Sequence, residues 1–214
     1  KADLQVVVAF RILPEVVWNM PGLGTLNLHA SILPDYRGAA PINWAIINGE
    51  TTTGVTTFFI DHDIDTGKII FQEKVSINRD ESAGELHDKL MKAGAGLVVK
   101  TVRAISSGNY KTIDQSSLVN TGEIKKAPKI YKEDCKINWS RDLTDLYNFI
   151  RGLSPYPAAW SELISETGDL LSVKIFQSEV KRTEHNVQAG KIESDGKIYF
   201  RIAVHGGYIY LTRI

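Results

Sequence analysis

The run of residues 4–10, LQVVVAF, is the feature that most limits the folds open to this chain. Its β-branched residues follow one another without polar alternation, which is typical of a strand buried on both faces of a parallel sheet. Such a strand needs a neighbour on each side, and the later sequence supplies neighbours for one side only. We therefore expect a largely parallel α/β sheet and a further segment before residue 1.

The segments that follow alternate between strand-like and helix-like patterns. Strands are expected at residues 25–29, 55–60 and 68–75, and short helices at 14–20 and 41–48. Ser82 and Glu85 have the spacing of a capping box, and the apolar residues behind them recur with the 3.6-residue period of a helix that would end at Gly108. The alternation predicts a partial Rossmann-like α/β domain with a parallel sheet over residues 1–110.

The sequence pattern changes after residue 110. Residues 111–130 are polar and lack periodicity, which is typical of a linker. One short helix is expected at 142–151, and strands at 160–164, 171–176, 198–204 and 208–213, with turn residues between them. Short strands at this spacing predict a small, OB-like β-barrel domain over residues 131–214.

Composition narrows the function classes. The chain has 214 residues, of which 43% are hydrophobic and 23% charged, so it can form a globular core. Its net charge is zero, which gives no global basic field for nucleic acid. Residues 121–214 carry 14 Lys and Arg against 12 Asp and Glu, which permits an RNA partner without indicating one.

The single cysteine, Cys135, allows no intrachain disulfide and is expected to be a small, semi-buried apolar residue. No apolar run approaches the roughly 20 residues of a membrane helix. These features favour a cytoplasmic protein with no membrane partner.

Candidate chemical groups lie on one predicted strand and in two loops. Asn27 and His29 are two residues apart on a strand, so their side chains point to the same face. The following residues 31–41 are rich in proline and small residues, which favours a rigid loop whose backbone can approach a ligand. A second loop, residues 61–67, contains Asp65. Its aspartates do not fit a calcium loop, because Gly67 is the seventh residue and not the sixth, and no metal is expected.

Each of these residue patterns is weak evidence by itself, but in combination they resemble the signature of a known family. The runs NLHASILP at 27–34, RGAAPI at 37–42 and DTG at 65–67 resemble the signature of the 10-formyltetrahydrofolate-dependent formyltransferases. With APKIYKED at 127–134 and RGLSPYPAAW at 151–160, the whole chain is similar to the methionyl-tRNA formyltransferases. It departs from that pattern at Phe10, Arg11 and Ile12, where the loop is one residue shorter and lacks the usual glycine.

The resemblance implies transfer of a formyl group from 10-formyltetrahydrofolate, a donor co-substrate, to the amino group of methionyl-tRNA. It implies that the catalytic residues are Asn27, His29 and Asp65. It implies folate contacts through the loop backbone at Ser31, Ile32, Leu33 and Pro34. It also implies basic tRNA contacts at Arg37, Lys125, Lys126, Lys129 and Lys132. Amine attack builds negative charge on the formyl oxygen, which amide and imidazolium N–H groups stabilise. A carboxylate favours the imidazolium and can accept the amine proton.

Two alternatives stay open. One is a formyltransferase for a small amine, either glycinamide ribonucleotide or an amino sugar nucleotide. A glycinamide ribonucleotide enzyme would end near residue 115, whereas some amino sugar enzymes also carry a carboxy-terminal domain. The other is a non-catalytic RNA-binding fragment, which would have no use for Asn27, His29 and Asp65. A monomer is expected, since no exposed apolar stripe stands out.

Overall fold

The computed structural model describes residues 2–9, 13–119, 123–165 and 167–214. The departure from the family pattern at Phe10, Arg11 and Ile12 lies outside the described residues. The chain divides into two compact units. Unit 1 comprises Lys1–Ile42, Thr51–Ile77 and Leu86–Lys129, and unit 2 comprises Asn43–Glu50, Asn78–Glu85 and Ile130–Ile214.

The elements before residue 130 alternate between strands and helices. In chain order they are β1 (Gln5–Val8), α1 (Glu15–Trp18), β2 (Thr25–His29), β3 (Arg37–Gly38), α2 (Pro41–Ile47), β4 (Thr52–Phe59), β5 (Ile69–Ser76), α3 (Ala83–Ser106) and β6 (Lys126–Ala127). The segment expected to be a linker contains a short 3₁₀ turn, Gln115–Leu118, and strand β6. The chain is therefore an α/β protein in its first part, as its pattern predicts.

The sheet of unit 1 is mixed, so the expectation of a parallel sheet is wrong in part. Its strand order is β1-β2-β4-β5. Strands β1 and β2 run parallel, whereas β4 runs antiparallel to both β2 and β5. The short connection between β4 and β5 can only join antiparallel neighbours, because a parallel pair needs a long crossover.

Strand β1 differs from its expected burial. It lies at the edge of the described sheet, and Val6 and Val8 are 40% and 55% exposed. Among the described residues, β1 pairs with β2 and with no other strand.

Helix α3 begins as its sequence predicts. The backbone N–H of Ser82 donates to the Glu85 carboxylate at 2.8 Å, and the N–H of Glu85 donates to the Ser82 hydroxyl at 3.3 Å, which is a reciprocal capping box. Within unit 1, a Cβ added to Gly94 of this helix would lie 2.7 Å from Cδ2 of Leu28. The absent side chain at Gly94 therefore lets the helix approach β2 closely.

Unit 2 is built mainly from the end of the chain. Its elements there are α4 (Leu143–Leu153), β7 (Ala159–Ile164), β8 (Leu170–Ile175), β9 (Gln177–Arg182), β10 (Ile192–Ser194), β11 (Phe200–Val204) and β12 (Gly207–Arg213). One face of α4 packs with strand residues in a core that includes Leu146, Ile150, Ile175 and Ile209. Cys135 lies in this core and is 1% exposed, and burial together with Asp134 raises the pKa of its thiol.

The strands of unit 2 form a β-rich domain without the expected closed barrel. Strands β10-β11-β12-β9 make one antiparallel sheet, and β7 and β8 make a separate hairpin. No ladder among the described residues joins the two. Only Phe176 separates β8 from β9, and its N–H donates to the Arg213 carbonyl at 2.9 Å. The chain therefore changes sheets at that residue and does not extend a single ladder around a barrel.

Candidate active site

Strand β2 places Asn27 and His29 on one face of the unit 1 sheet. Both residues are buried, with 5% and 6% of their surfaces exposed. They lie opposite Phe58 and Thr56 of β4. Since β2 is paired on both sides, its backbone fixes the height and direction of these two side chains.

The His29 ring is held between two oxygen acceptors. Its Nε2 lies 2.8 Å from the Tyr36 carbonyl oxygen. A carbonyl can only accept, so Nε2 carries a proton and donates. The other nitrogen, Nδ1, lies 3.7 Å from Oδ2 of Asp65, which is an ion-pair distance when the ring is protonated. The Phe58 ring packs edge-on at 6.5 Å between centroids.

Asp65 lies in the loop between β4 and β5 in a left-handed backbone conformation, with φ of 56°. Its Oδ2 accepts a hydrogen bond from the Gly38 N–H at 2.9 Å, and its side chain is 12% exposed. Two residues later, a Cβ on Gly67 would overlap the Phe59 carbonyl oxygen. Only glycine fits there, which explains why the DTG run ends in glycine.

The Asn27 amide has an unpaired atom. Its Oδ1 is buried and has no hydrogen-bond partner in the described part of the chain. Buried polar groups are nearly always paired, so an orphan of this kind needs an explanation such as a ligand. Rotating the amide by half a turn exchanges oxygen and nitrogen, and it would then present an unpaired donor.

The loop after β2 is tied to the sheet by its own backbone. The Ser31 carbonyl accepts from the Thr56 hydroxyl at 2.7 Å, and the Leu33 carbonyl accepts from the Gln72 amide at 2.8 Å. Ser31 and Leu33 are fully buried, whereas Ile32 and Pro34 are partly exposed. Of the four residues predicted to contact folate, Ile32 and Pro34 thus have surface available, while the other two hold the loop.

The predicted tRNA contacts divide into two kinds. The Arg37 guanidinium is partly buried and donates Nε and Nη2 to Oε1 of Gln115, at 3.0 and 2.6 Å. The side chains of the other four are exposed: Lys125, Lys126, Lys129 and Lys132. Arg37 is therefore engaged inside unit 1, and the lysines lie at the surface of their own units.

Gln115 is the site residue that sequence reasoning missed. Its side chain is 1% exposed, and its Nε2 donates to the carbonyl oxygens of Asp65 and Gly67 at 2.9 and 2.8 Å. It stands in a polar, non-periodic segment, where no pattern distinguishes a buried glutamine from a solvated one.

The described residues contain no group of three or more His, Cys, Asp or Glu side chains placed to hold a metal ion. Every helix in the described ranges is too short or too polar to cross a membrane. What the site does contain is a buried amide, a buried imidazole and a partly buried carboxylate, all within one unit. Such a set can stabilise an oxyanion and accept a proton, which defines an α/β protein with a site suited to acyl-type group transfer.

Comparison with known sequences agrees with this class. A formyl transferase model matches residues 1–102, and a model of the formyl transferase C-terminal domain matches residues 129–214. The chain belongs to the formyl transferase family.

Relatives named methionyl-tRNA formyltransferase match nearly the whole chain. The one from Bacteroides fragilis is 56% identical over 209 residues, which cover 98% of this chain and 64% of the relative. The one from Parabacteroides distasonis is 55% identical and covers 100% of this chain and 66% of the relative. The chain thus spans somewhat less than two thirds of the length of these relatives.

Solved structures share the fold. HypX from Aquifex aeolicus, in complex with tetrahydrofolic acid, superposes with a TM-score of 0.73 at 21% identity, over 98% of this chain and 35% of that one. An N-formyltransferase from Helicobacter canadensis, in complex with folinic acid and dTDP-3-aminofucose, has a TM-score of 0.63 at 27% identity, over 87% of this chain and 65% of that one.

Proposed function

We propose that this protein transfers the formyl group of 10-formyltetrahydrofolate to the free amino group of methionylated initiator tRNA. The product would serve translation initiation. The observation that carries the proposal is the pairing of buried His29 with partly buried Asp65, on the strand face that also carries the unpaired Oδ1 atom of Asn27. The choice of acceptor is supported by relatives of this name that are 55–56% identical over nearly the whole chain.

In the proposed reaction, the methionyl nitrogen attacks the formyl carbon and negative charge collects on the formyl oxygen. The Asn27 amide donates to that oxygen. Nδ1 of protonated His29 is the nitrogen able to donate to it, because Nε2 is already engaged by the Tyr36 carbonyl. The Asp65 carboxylate, 3.7 Å from Nδ1, accepts the proton that the amine loses. The oxyanion then re-forms the carbonyl as the bond between the formyl carbon and N10 breaks. N10 takes up the proton that Asp65 accepted, and neutral tetrahydrofolate leaves.

We propose that the folate lies against Ile32 and Pro34, the partly exposed residues of the loop whose shape Ser31 and Leu33 hold. This arrangement is rigid before folate arrives, so little conformational entropy is lost when it binds.

We also propose a division of labour along the chain. Residues 1–110 would carry catalysis and residues 131–214 would hold the tRNA as an OB-like domain, with residues 111–130 connecting them. The exposed lysines of the two later regions support this assignment, because phosphate contacts require accessible cations. The protein would act in the cytoplasm as a monomer.

The test is transfer of labelled formyl from 10-formyltetrahydrofolate to methionyl-tRNA by the complete protein that contains this chain. His29→Ala should lower the rate by about 100- to 1,000-fold, the loss typical of an oxyanion donor, and leave tRNA affinity unchanged. His87→Ala is the matched control, since His87 is an exposed histidine on α3, and it should behave like the wild type.

Undiminished transfer by His29→Ala would contradict the mechanism. Transfer to an amino sugar nucleotide or to glycinamide ribonucleotide, and not to tRNA, would keep the site and replace the acceptor. tRNA binding without transfer to any amine would indicate a non-catalytic RNA-binding protein.

A further inference from the structure

Gln115 is bonded at both ends of its amide within unit 1. Its nitrogen donates to the Asp65 and Gly67 carbonyl oxygens, and its oxygen accepts two hydrogen bonds from Arg37. All the hydrogen-bonding capacity of the NH₂ group, and both lone pairs of the oxygen, are thereby used.

The arginine that anchors Gln115 lies between the two backbone groups that hold the candidate catalytic pair. The residue before it, Tyr36, offers its carbonyl oxygen to His29, and the residue after it, Gly38, donates its N–H to the Asp65 carboxylate. A shift of Arg37 would therefore displace both of these backbone groups. Its bond to Gln115 connects this segment directly to the loop that carries Asp65.

The Asp65 backbone needs such support. A left-handed conformation is unfavourable for a residue with a side chain and persists only where its surroundings enforce it. The two carbonyl oxygens that enclose this turn, those of Asp65 and Gly67, are the ones that Gln115 binds. The contact thus acts on the turn that sets the direction of the carboxylate.

We infer that Gln115 is a positioning residue that, anchored by Arg37, fixes the Asp65 carboxylate against His29 and Gly38. This inference rests on the proposed formyl transfer, in which Asp65 faces His29 and accepts a proton. Glutamine meets the requirement because it has a donor for two carbonyls and an acceptor for one guanidinium on a single planar group. Glutamate would turn an oxygen toward two carbonyl oxygens, and methionine would bind neither side.

The test uses Gln115→Met and Gln115→Glu in the complete protein, with Ser117→Ala as the matched control. Ser117 lies in the same 3₁₀ turn, and its exposed hydroxyl bonds only locally, to the Asp114 carbonyl. Both glutamine variants should lower kcat by about 10- to 100-fold, the loss expected from a misplaced catalytic group. KM for the folate and for the tRNA should change by less than about twofold. Thermal unfolding identifies any variant that fails to fold.

A double-variant cycle separates positioning from general support. In an Asp65→Ala background, adding Gln115→Met should lower kcat by less than about a further twofold, because the carboxylate through which Gln115 acts has already been removed. A merely structural role would leave the two losses additive, and additivity would overturn the inference.

A second readout does not depend on transfer. The Gly38 amide hydrogen is bonded to the Asp65 carboxylate, and its exchange with solvent deuterium should accelerate about tenfold or more in Gln115→Met but not in Ser117→Ala. Unchanged Gly38 exchange in folded Gln115→Met would refute the inference, whatever the protein formylates. Accelerated exchange in a protein that formylates nothing would support the positioning role and overturn the proposed function alone.

Discussion

His29 illustrates how much of a residue's chemistry is set by the neighbours of each ring nitrogen. The sequence predicts that Asn27 and His29 share a strand face, and the structure buries both there. The partners of His29 are a backbone carbonyl from the following loop and a carboxylate from a distant loop. Neither contact is encoded by the local pattern around residue 29, so the spacing alone identifies a candidate without its orientation.

Gln115 escapes sequence reasoning for a physical reason. Hydrophobic periodicity reports burial of apolar side chains, whereas Gln115 is buried through hydrogen bonds to groups far away along the chain. A polar residue in a polar segment carries no sign of such partners.

Tyr147 provides a prediction about pH and stability. Its hydroxyl donates to the Asp80 carboxylate at 2.9 Å, and burial, followed by that hydrogen bond, raises the pKa of Tyr147 to about 12. The unfolded value is about 10, so the folded state retains a proton that the unfolded state loses. The resulting stabilisation is complete below about pH 10 and disappears as the pH rises through about 12.

The free energy of unfolding should therefore fall more steeply over this interval in the wild type than in Tyr147→Phe. Urea unfolding at a series of pH values measures both slopes. Tyr156→Phe, which alters a tyrosine that is 82% exposed, is the control and should follow the wild type. Parallel curves for the wild type and Tyr147→Phe would contradict the prediction.

At the level of elements, the strength of the local signal decides what could be predicted. Helix α3 was expected from its capping box and its 3.6-residue period, and it spans Ala83–Ser106. Strands β3 and β6 are two residues each and pair Arg37 with Lys126, which is too short a pattern to detect. The direction of β4 relative to β2 was also missed, because strand periodicity is the same in parallel and antiparallel sheets.

Two glycines of α3 offer a matched test of how this helix packs. A Cβ on Gly96 would meet nothing within 4 Å, whereas one on Gly94 would press on Leu28, between Asn27 and His29. Gly96→Ala should raise the free energy of unfolding by about 0.5–1 kcal/mol, since alanine favours a helix interior over glycine. Gly94→Ala gains the same propensity but should be less stable than Gly96→Ala by about 1–3 kcal/mol, through overpacking.

Chemical denaturation of the two alanine variants beside the wild type measures this difference. Equal stabilisation by both substitutions would mean that Leu28 can move aside freely. The close approach of α3 to β2 would then place no constraint on the strand that carries Asn27 and His29.

At the scale of the whole molecule, the net charge of zero conceals a local excess of cations. Composition could not assign this excess to a partner, since single lysines are more often solvated surface charges. Lys125, Lys126, Lys129 and Lys132 are exposed and close together along the chain, so we predict that they supply the phosphate contacts of the proposed tRNA complex.

Replacing these four lysines with glutamine should weaken tRNA binding and reduce the slope of log affinity against log salt concentration by up to about 3, because fewer counterions are released. Replacing them with arginine keeps the charge and should preserve the slope. Filter binding over a salt series measures both variants. An unchanged slope in the glutamine variant would show that the tRNA contacts lie elsewhere.

The single residue between β8 and β9 determines which side chains of β9 face the core of unit 2. Gln177, Glu179 and Lys181 are exposed, whereas Ser178 and Val180 between them are partly buried, and Val180 packs on the core. Strand side chains alternate with a period of two, so inserting one residue beside Phe176 would exchange these faces and direct Glu179 and Lys181 inward. Only insertions of an even number of residues at this junction would keep the same β9 side chains on the core face.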